Sequence, residues 1–145
     1  MRETLCSLPL FGGLSSQSIQ LLAQHLESSV VPTGHLIVRE GEPGSHLFVV
    51  DRGSVRIWKA GPSGPRPLAV LTEGSFFGEM GMLDRESRSA NAEATAETKL
   101  LILPYVAFEI LADLLPLDYA RWLENLARTL VQRLRLLDDR FATAT

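Results

Sequence analysis

The chain has 145 residues, the usual size of one domain. Hydrophobic residues make up 46% and charged residues 21%, a composition typical of soluble globular proteins that excludes a disordered or fibrous chain. Seventeen acidic residues against 14 basic ones give a formal charge of −3, whereas domains that bind nucleic acids usually carry a basic face. We therefore expect a single domain over residues 1–145 that does not bind DNA.

Two features of the sequence concern its compartment. No apolar stretch approaches the roughly 18 residues that span a bilayer, and the first residues lack the apolar core of a signal peptide. The only cysteine, Cys6, cannot form an internal disulfide and has no activating base beside it, so we expect a buried or terminal thiol rather than a nucleophile. The sequence thus predicts a cytoplasmic protein without direct membrane insertion.

An N-terminal helical segment is predicted over residues 1–28. Ser15 and Ser16 are suitable N-caps, and apolar residues follow at helical spacing: Ile19, Leu22, Ala23 and Leu26. The pattern predicts one short amphipathic helix between Leu14 and Leu26.

Residues 29–104 show a different pattern, in which short apolar runs alternate with turn residues. Six runs are predicted to be strands: Val30-Val31, Leu36–Val38, Leu47–Val50, Val55–Trp58, Leu68–Leu71 and Lys99–Leu103. Glycine and proline clusters such as Gly61-Pro62-Ser63-Gly64-Pro65 separate them. Strands at this spacing are typical of an antiparallel sandwich or barrel.

Residues 105–141 return to helical spacing, and Pro104 and Pro116 divide this region because proline starts or ends helices. The longer helix is predicted from Asp118 to about Asp139. Its apolar stripe comprises Tyr119, Trp122, Leu123, Leu126, Leu130, Leu134 and Leu137. The stripe can belong to the core, or it can form a surface for a partner helix.

The segment Phe76–Ala92 interrupts the strand pattern and is rich in small and charged residues. Loops of this kind in small sheet domains often carry function. Gly78 permits close approach of a backbone to a ligand, and a helical turn over Glu79–Leu83 would direct amide donors at an anion. Arg88 adds a permanent charge with a donor fork and Ser89 adds a hydroxyl, a combination suited to a phosphate.

Glu79 would repel a phosphate, so its natural partner is a hydroxyl donor. A compact ligand with both a phosphate and a sugar hydroxyl is a nucleotide, and a single charged clamp favours a cyclic phosphodiester. Triphosphate sites instead use a glycine-rich loop with lysine and a metal, and no Gly-x-x-x-x-Gly-Lys occurs here.

These residues resemble the phosphate-binding cassette of the cyclic nucleotide-binding domains found in bacterial transcription regulators, protein kinases and ion channels. The shared pattern is Phe77-Gly78-Glu79, Gly81, Leu83 and Arg88-Ser89-Ala90, in the family's order and spacing. Further matches, over nearly the whole chain, are Leu10-Phe11 with Leu14, Gly34 with Ile37, Glu40–Gly44 and Gly53–Ile57. The resemblance implies an α+β fold, an antiparallel jelly-roll barrel of about eight strands with an N-terminal helix and C-terminal helices.

The resemblance also implies a ligand site in and near the cassette, residues 77–92. The implied ligand residues before the last helix are Val70, Leu71, Gly78, Glu79, Met80, Arg88, Ser89 and Ala90. Glu79 would take the ribose 2′-hydroxyl, Arg88 and Ser89 would bind the cyclic phosphate against the backbones of Gly78 and Ala90, and Val70 and Leu71 would contact the base. Serine at position 89, where members that prefer cyclic GMP often have threonine, favours cyclic AMP, although cyclic GMP is also possible.

The family's last helix covers the base as a lid, which by resemblance places Arg133 or Thr129 near it, with Arg128 as a third candidate. Residues 141–145 are too few for the helix-turn-helix of the regulators, so we expect an output through a partner protein or an attached effector domain. Self-association through the apolar stripe around Trp122 and Leu126, giving a homodimer, is a further possibility.

Two alternatives to a cyclic nucleotide sensor remain open. A metal-dependent enzyme on a similar barrel needs closely spaced histidines, and His25, His35 and His46 lack that spacing, so we expect neither catalysis nor a metal or catalytic cofactor. A degenerate jelly roll that keeps the fold and has lost its ligand would act only as an interaction domain.

Overall fold

The computed structural model describes the backbone of residues 2–144 and the side chains of residues 2–139. The chain divides into a β unit, His25–Val106, and a helical unit formed by the described residues up to Gln24 and from Ala107 onward. The sequence pattern changes near the same places, at residues 28 and 104, and the single domain stays a prediction. No helix in the described part of the chain is long and apolar enough to cross a membrane.

Eight strands form the β unit, as the family resemblance implies. They are β1 (Glu27–Val31), β2 (Leu36–Val38), β3 (His46–Arg52), β4 (Val55–Gly61), β5 (Gly64–Leu71), β6 (Phe76–Phe77), β7 (Asn91–Ala94) and β8 (Thr98–Pro104). The strands pair in antiparallel fashion in two four-stranded sheets, with the orders β1-β8-β3-β6 and β2-β7-β4-β5.

The predicted jelly-roll barrel is not closed, because the strands of the described region form two separate sheets rather than one ring. Side chains hold the two sheets together instead of a continuous ladder of hydrogen bonds, as in double-sheet jelly rolls. The core cluster consists of Val31, Phe48, Val50, Val55, Phe77, Ala92, Ala94 and Leu100. Each sheet contributes alternate residues of its strands, since successive side chains of a strand point to opposite faces.

All six strands predicted from apolar runs are present, and two further strands lack a sequence signal. β6 has only two residues, and β7 reads Asn-Ala-Glu-Ala, without the β-branched residues that favour strands. Both form because neighbouring strands pair with them: Phe77 lies opposite Phe48, and Ala92 and Ala94 lie opposite Ile57 and Val55. The interrupted segment Phe76–Ala92 is therefore a loop whose two ends are strands.

In the helical unit, α1 (Arg2–Ser7), a 3₁₀ turn (Pro9–Phe11) and α2 (Ser16–His25) precede the strands, where the sequence predicted one helix. Ser15 is the N-cap of α2, as predicted, because its hydroxyl oxygen accepts the Ser18 amide proton at 3.3 Å. α4 (Tyr105–Leu114) begins directly after Pro104, and α5 begins at Pro116 and continues to Ala144, beyond the predicted end near Asp139. Both prolines thus mark helix starts, as expected.

The apolar stripe of α5 is divided between core and surface. Trp122 and Leu126 are fully buried, and the Trp122 ring lies against Phe108 with 4.4 Å between ring centroids. Leu134 and Leu137 on the same stripe are exposed, as is Val131 next to them. Trp122 and Leu126 themselves are therefore not available for self-association, which stays a prediction for the exposed part of the stripe.

Candidate functional site

The cassette is a loop that leaves β6 through a sharp turn at Gly78. Gly78 has a φ of +90°, a conformation open to glycine and strained for other residues. The predicted helical turn is present as α3 (Met80–Asp84), with Glu79 at its N-cap position. The loop then passes Arg85, whose φ is +59°, and returns along Arg88 to β7.

The Arg88 backbone is fixed to the loop between β2 and β3. Its amide donates to Glu42 O at 2.8 Å, and its carbonyl accepts from Gly41 N at 2.9 Å. Asn91 strengthens this junction because its side-chain oxygen accepts the Glu40 amide at 2.9 Å. The side-chain oxygen of the buried Asn91 thus has a backbone partner.

The guanidinium of Arg88 is held by three acceptors within the β unit. Nη2 donates to His46 O at 3.0 Å, and Nη1 donates to Gly78 O at 3.3 Å and to the Tyr105 hydroxyl at 3.1 Å. Its Cζ also lies 5.7 Å from the ring centroid of Phe48, a cation–π distance. The positive charge is thus fixed beside the turn at Gly78.

The guanidinium of Arg88 occupies space that is open only because two neighbouring residues are glycines. A β-carbon on Gly44 would lie 2.5 Å from Arg88 Cζ, and one on Gly78 would lie 2.7 Å from Arg88 Nη1 and 2.8 Å from His46 O. No side chain fits at such distances without a shift. Gly44 and Gly78 therefore form a slot for Arg88, which we call the glycine slot.

The other predicted ligand residues of the cassette differ in how far their side chains are exposed to solvent. Glu79 is only 5% exposed, an unusual degree of burial for a carboxylate. Ser89 and Met80 are exposed, and the Ser89 hydroxyl lies 3.7 Å from the Met80 sulfur. Ala90 is partly buried immediately before β7. The structure thus brings Gly78, Glu79 and the Arg88–Ala90 stretch together in one loop.

The two residues predicted to contact the base lie on opposite faces of β5. Leu71 pairs with Val55 and packs against the core cluster, whereas Val70 pairs with Arg56 and is 66% exposed. Directly opposed residues in an antiparallel pair share a face, so Val70 projects to the same outer face as Arg56. Val70 and Leu71 cannot line one pocket together.

The predicted lid residues belong to the helical unit. Thr129 and Arg133 lie on α5 and are partly buried, and the Thr129 hydroxyl donates to Asn125 O one turn earlier, at 3.2 Å. Arg128 is exposed and forms an ion pair with Glu124 at 2.5 Å. Their role toward a ligand stays a prediction.

Sequence reasoning missed the residues that surround Arg88. Gly44 was predicted only as part of the Glu40–Gly44 match, and no pattern linked His46 or Tyr105 to the cassette because they lie far from it in the chain. His46 contributes its backbone carbonyl, which no side-chain pattern could reveal. Tyr105 could have been suspected only from its place at the start of a helix directly after a proline.

A cavity of about 250 Å³ lies close to the cassette but outside the predicted ligand residues. It is lined by the β2–β3 loop at Gly41, Pro43 and Gly44, by the cassette at Gly81 and residues 85–87, and by Tyr105. Among the described residues, no group of three or more histidine, cysteine, aspartate or glutamate side chains is placed to hold a metal ion.

Comparison with known protein families decides what this arrangement is. Residues 29–113, more than half of the chain, match the family model described as the cyclic nucleotide-binding domain. The chain belongs to the cyclic nucleotide-binding domain family. The matched residues include the cassette, with Arg88, and Tyr105. The site described above therefore lies within the part of the chain that matches the family model.

Relatives of the chain occur in proteins with different outputs. The chain is 37% identical over 131 residues to the cyclic AMP receptor protein of Thermus thermophilus, covering 90% of this chain and 59% of that protein. It is 32% identical to a cGMP-dependent protein kinase of Caenorhabditis elegans, covering 93% of this chain and 18% of the kinase. The chain thus spans less than two thirds of these relatives.

A solved structure of the same fold aligns with nearly all of the chain. The crystal structure of a cyclic nucleotide-binding domain from Methylobacillus flagellatus superposes with a TM-score of 0.85 at 28% identity, covering 99% of this chain and 81% of that one. By their names, the relatives include a receptor protein, a cyclic nucleotide-gated potassium channel and a protein kinase.

Proposed function

We propose that this chain is a regulatory module that binds a cyclic nucleotide, with cyclic AMP preferred over cyclic GMP. The observation that carries the proposal is the fixed guanidinium of Arg88 beside the left-handed turn at Gly78, with the buried Glu79 as the next residue. One cation and one carboxylate in a single loop suit a ligand that presents one phosphate charge and hydroxyl donors.

The three bonds described above leave Arg88 from Nη1 and Nη2, and none of them leaves from Nε. Nε–H and Nη2 lie along one edge of the guanidinium, which is the bidentate fork that oxyanions accept. A cyclic phosphate would bind to this edge, and the Ser89 hydroxyl would supply a further donor. Glu79 would accept the ribose 2′-hydroxyl, as the resemblance implies.

Leu71 is the base-contacting residue that the strand register supports, since it lies on the inner face of β5 with Ala69. Val70 is left out of the proposed site because it lies on the outer face. The preference for cyclic AMP rests on serine at position 89 and on the Thermus thermophilus relative, whose name specifies cyclic AMP. The kinase relative, named for cyclic GMP, makes this preference a point to be measured.

The output of the module is proposed to depend on α5. Thr129 or Arg133 would contact the base when the helix covers the ligand, and a partner protein, an effector domain or a second copy of the chain would receive the change. For a second copy, the exposed Leu134 and Leu137 replace Trp122 and Leu126 as the contact surface. We propose a binding module rather than an enzyme, located in the cytoplasm.

Calorimetric titration with cyclic AMP and cyclic GMP tests this function. We expect saturable binding, tighter for cyclic AMP, and a loss of about 1.5–3 kcal/mol of binding free energy in Arg88→Ala. Arg66→Ala, which removes an exposed arginine from the β4–β5 hairpin, is the matched control and should bind as the wild type does. Absence of heat with either nucleotide, from folded protein stripped of copurified nucleotide, would instead indicate an interaction domain without a ligand.

A further inference from the structure

The Tyr105 side chain accepts a hydrogen bond from Arg88, alongside the backbone carbonyls of His46 and Gly78. Arg88 Nη1 lies 3.1 Å from the Tyr105 oxygen. The same hydroxyl donates its proton to Gly78 O, which also accepts from Arg88. Tyr105, Arg88 and Gly78 therefore form a closed triangle of hydrogen bonds at the start of the cassette.

The position of Tyr105 is fixed by the backbone around it. Its amide donates to Ser45 O at 2.8 Å, next to the His46 carbonyl that holds the other end of the guanidinium. Its ring is half-buried, with 6.0 Å from the ring centroid to Arg88 Cζ. Burial raises the pKa of the Tyr105 hydroxyl above its ordinary value despite the opposing charge of Arg88, so the proton needed for the bond to Gly78 O is present at neutral pH.

We propose that Tyr105 is a positioning residue for the phosphate site, which holds Arg88 by its Nη1 end and turns the Nε–Nη2 edge toward the ligand. This inference rests on the proposed function of the cassette. Without the hydroxyl, Nη1 keeps a single acceptor at 3.3 Å, longer than the usual range, and the long arginine side chain gains alternative rotamers. Binding would then have to restore the orientation of Arg88, and the affinity would fall.

Tyr105→Phe tests the role of the hydroxyl because it keeps the ring and removes one oxygen. We expect cyclic AMP to bind about three- to tenfold more weakly, the effect of losing one typical hydrogen bond in the shell around the site. In the Arg88→Ala background the same substitution should change the affinity less than about 1.5-fold, because Tyr105 acts through Arg88. Tyr119→Phe, the chain's other tyrosine, is the matched control and should bind like the wild type.

A measurement on the protein without nucleotide separates this inference from the proposed function. The Arg88 side-chain NMR signals, assigned by their loss in Arg88→Ala, should show slow proton exchange at Nη in the wild type and faster exchange in Tyr105→Phe. Unchanged exchange, or an equal loss of affinity in both backgrounds, would overturn the positioning role. If the wild type binds neither nucleotide, the proposed function fails, and the exchange rates alone then show whether Tyr105 holds Arg88.

Discussion

The glycine slot makes Gly44→Ala a sharp probe of how Arg88 is held. Gly44 lies outside the left-handed region of φ, so alanine is compatible with its backbone. The added carbon would lie 2.5 Å from Arg88 Cζ, 2.6 Å from Nε and 2.9 Å from Nη1, and every one of these atoms belongs to the Arg88 side chain. The substitution therefore acts on the guanidinium and leaves the surrounding backbone in place.

The size of the effect follows from these distances. Carbon atoms in contact are about 3.5–4.0 Å apart, so the guanidinium must move by about 1 Å. The bonds from Arg88 to His46 O, Tyr105 and Gly78 O already measure 3.0–3.3 Å, and such a shift takes them beyond hydrogen-bond distance. We expect cyclic AMP to bind about tenfold more weakly, equivalent to about 1.4 kcal/mol. The free energy of unfolding should change by less than about 1 kcal/mol, because alanine also restricts the unfolded chain.

Calorimetry together with urea denaturation measures both quantities. Gly61→Ala is the matched control, since its new carbon would meet another arginine side chain, Arg66 Cδ at 2.8 Å, in the β4–β5 hairpin. The control should fold and bind as the wild type does. If Gly44→Ala binds cyclic AMP within about twofold of the control, the slot does not set the position of Arg88 and the reasoning is refuted.

Three further predictions concern the ribose contact, the helical unit and the exposed part of α5. Glu79→Ala should weaken cyclic AMP more than its 2′-deoxy analogue in competition titrations, and an equal loss for both ligands would remove Glu79 from the ribose. The hydroxyl of Ser15, with help from Ser18, lowers the pKa of Asp118 below its ordinary 3.8, so this carboxylate stabilises the fold above pH 4 and loses its contribution as the pH falls through its folded pKa. Asp118→Asn should accordingly lower the free energy of unfolding at pH 7 by less than about 1 kcal/mol in urea titrations, because solvent screens this carboxylate, and by progressively less below pH 4; a difference that persists at low pH would contradict this. Leu134→Asp should shift sedimentation toward the monomer if α5 pairs with a second copy, whereas an unchanged, concentration-dependent dimer would exclude Leu134 from the contact.

The cassette was predictable from sequence because its chemistry is local. Phe77-Gly78-Glu79 and Arg88-Ser89-Ala90 lie within 14 consecutive residues, and a left-handed turn requires glycine at a fixed place before the helix. The strand segments with apolar runs were also predictable, since burial of one face imposes alternation. β6 and β7 were not, because their short sequences become strands only through pairing with β3, β4 and β2.

The surroundings of Arg88 and the division of the α5 stripe were decided by tertiary structure. His46 and Tyr105 lie 42 and 17 positions from Arg88 in the chain, and only the pairing of β3 with β8 brings them to the same guanidinium. In α5, Trp122, Leu126, Leu134 and Leu137 all lie on one stripe at helical spacing, so the pattern cannot show where the core ends. The sequence by itself indicated which groups make up the proposed phosphate site, because neighbouring residues carry them. Folding determined how Arg88 is oriented and which leucines are exposed, because both depend on contacts between residues distant in the chain.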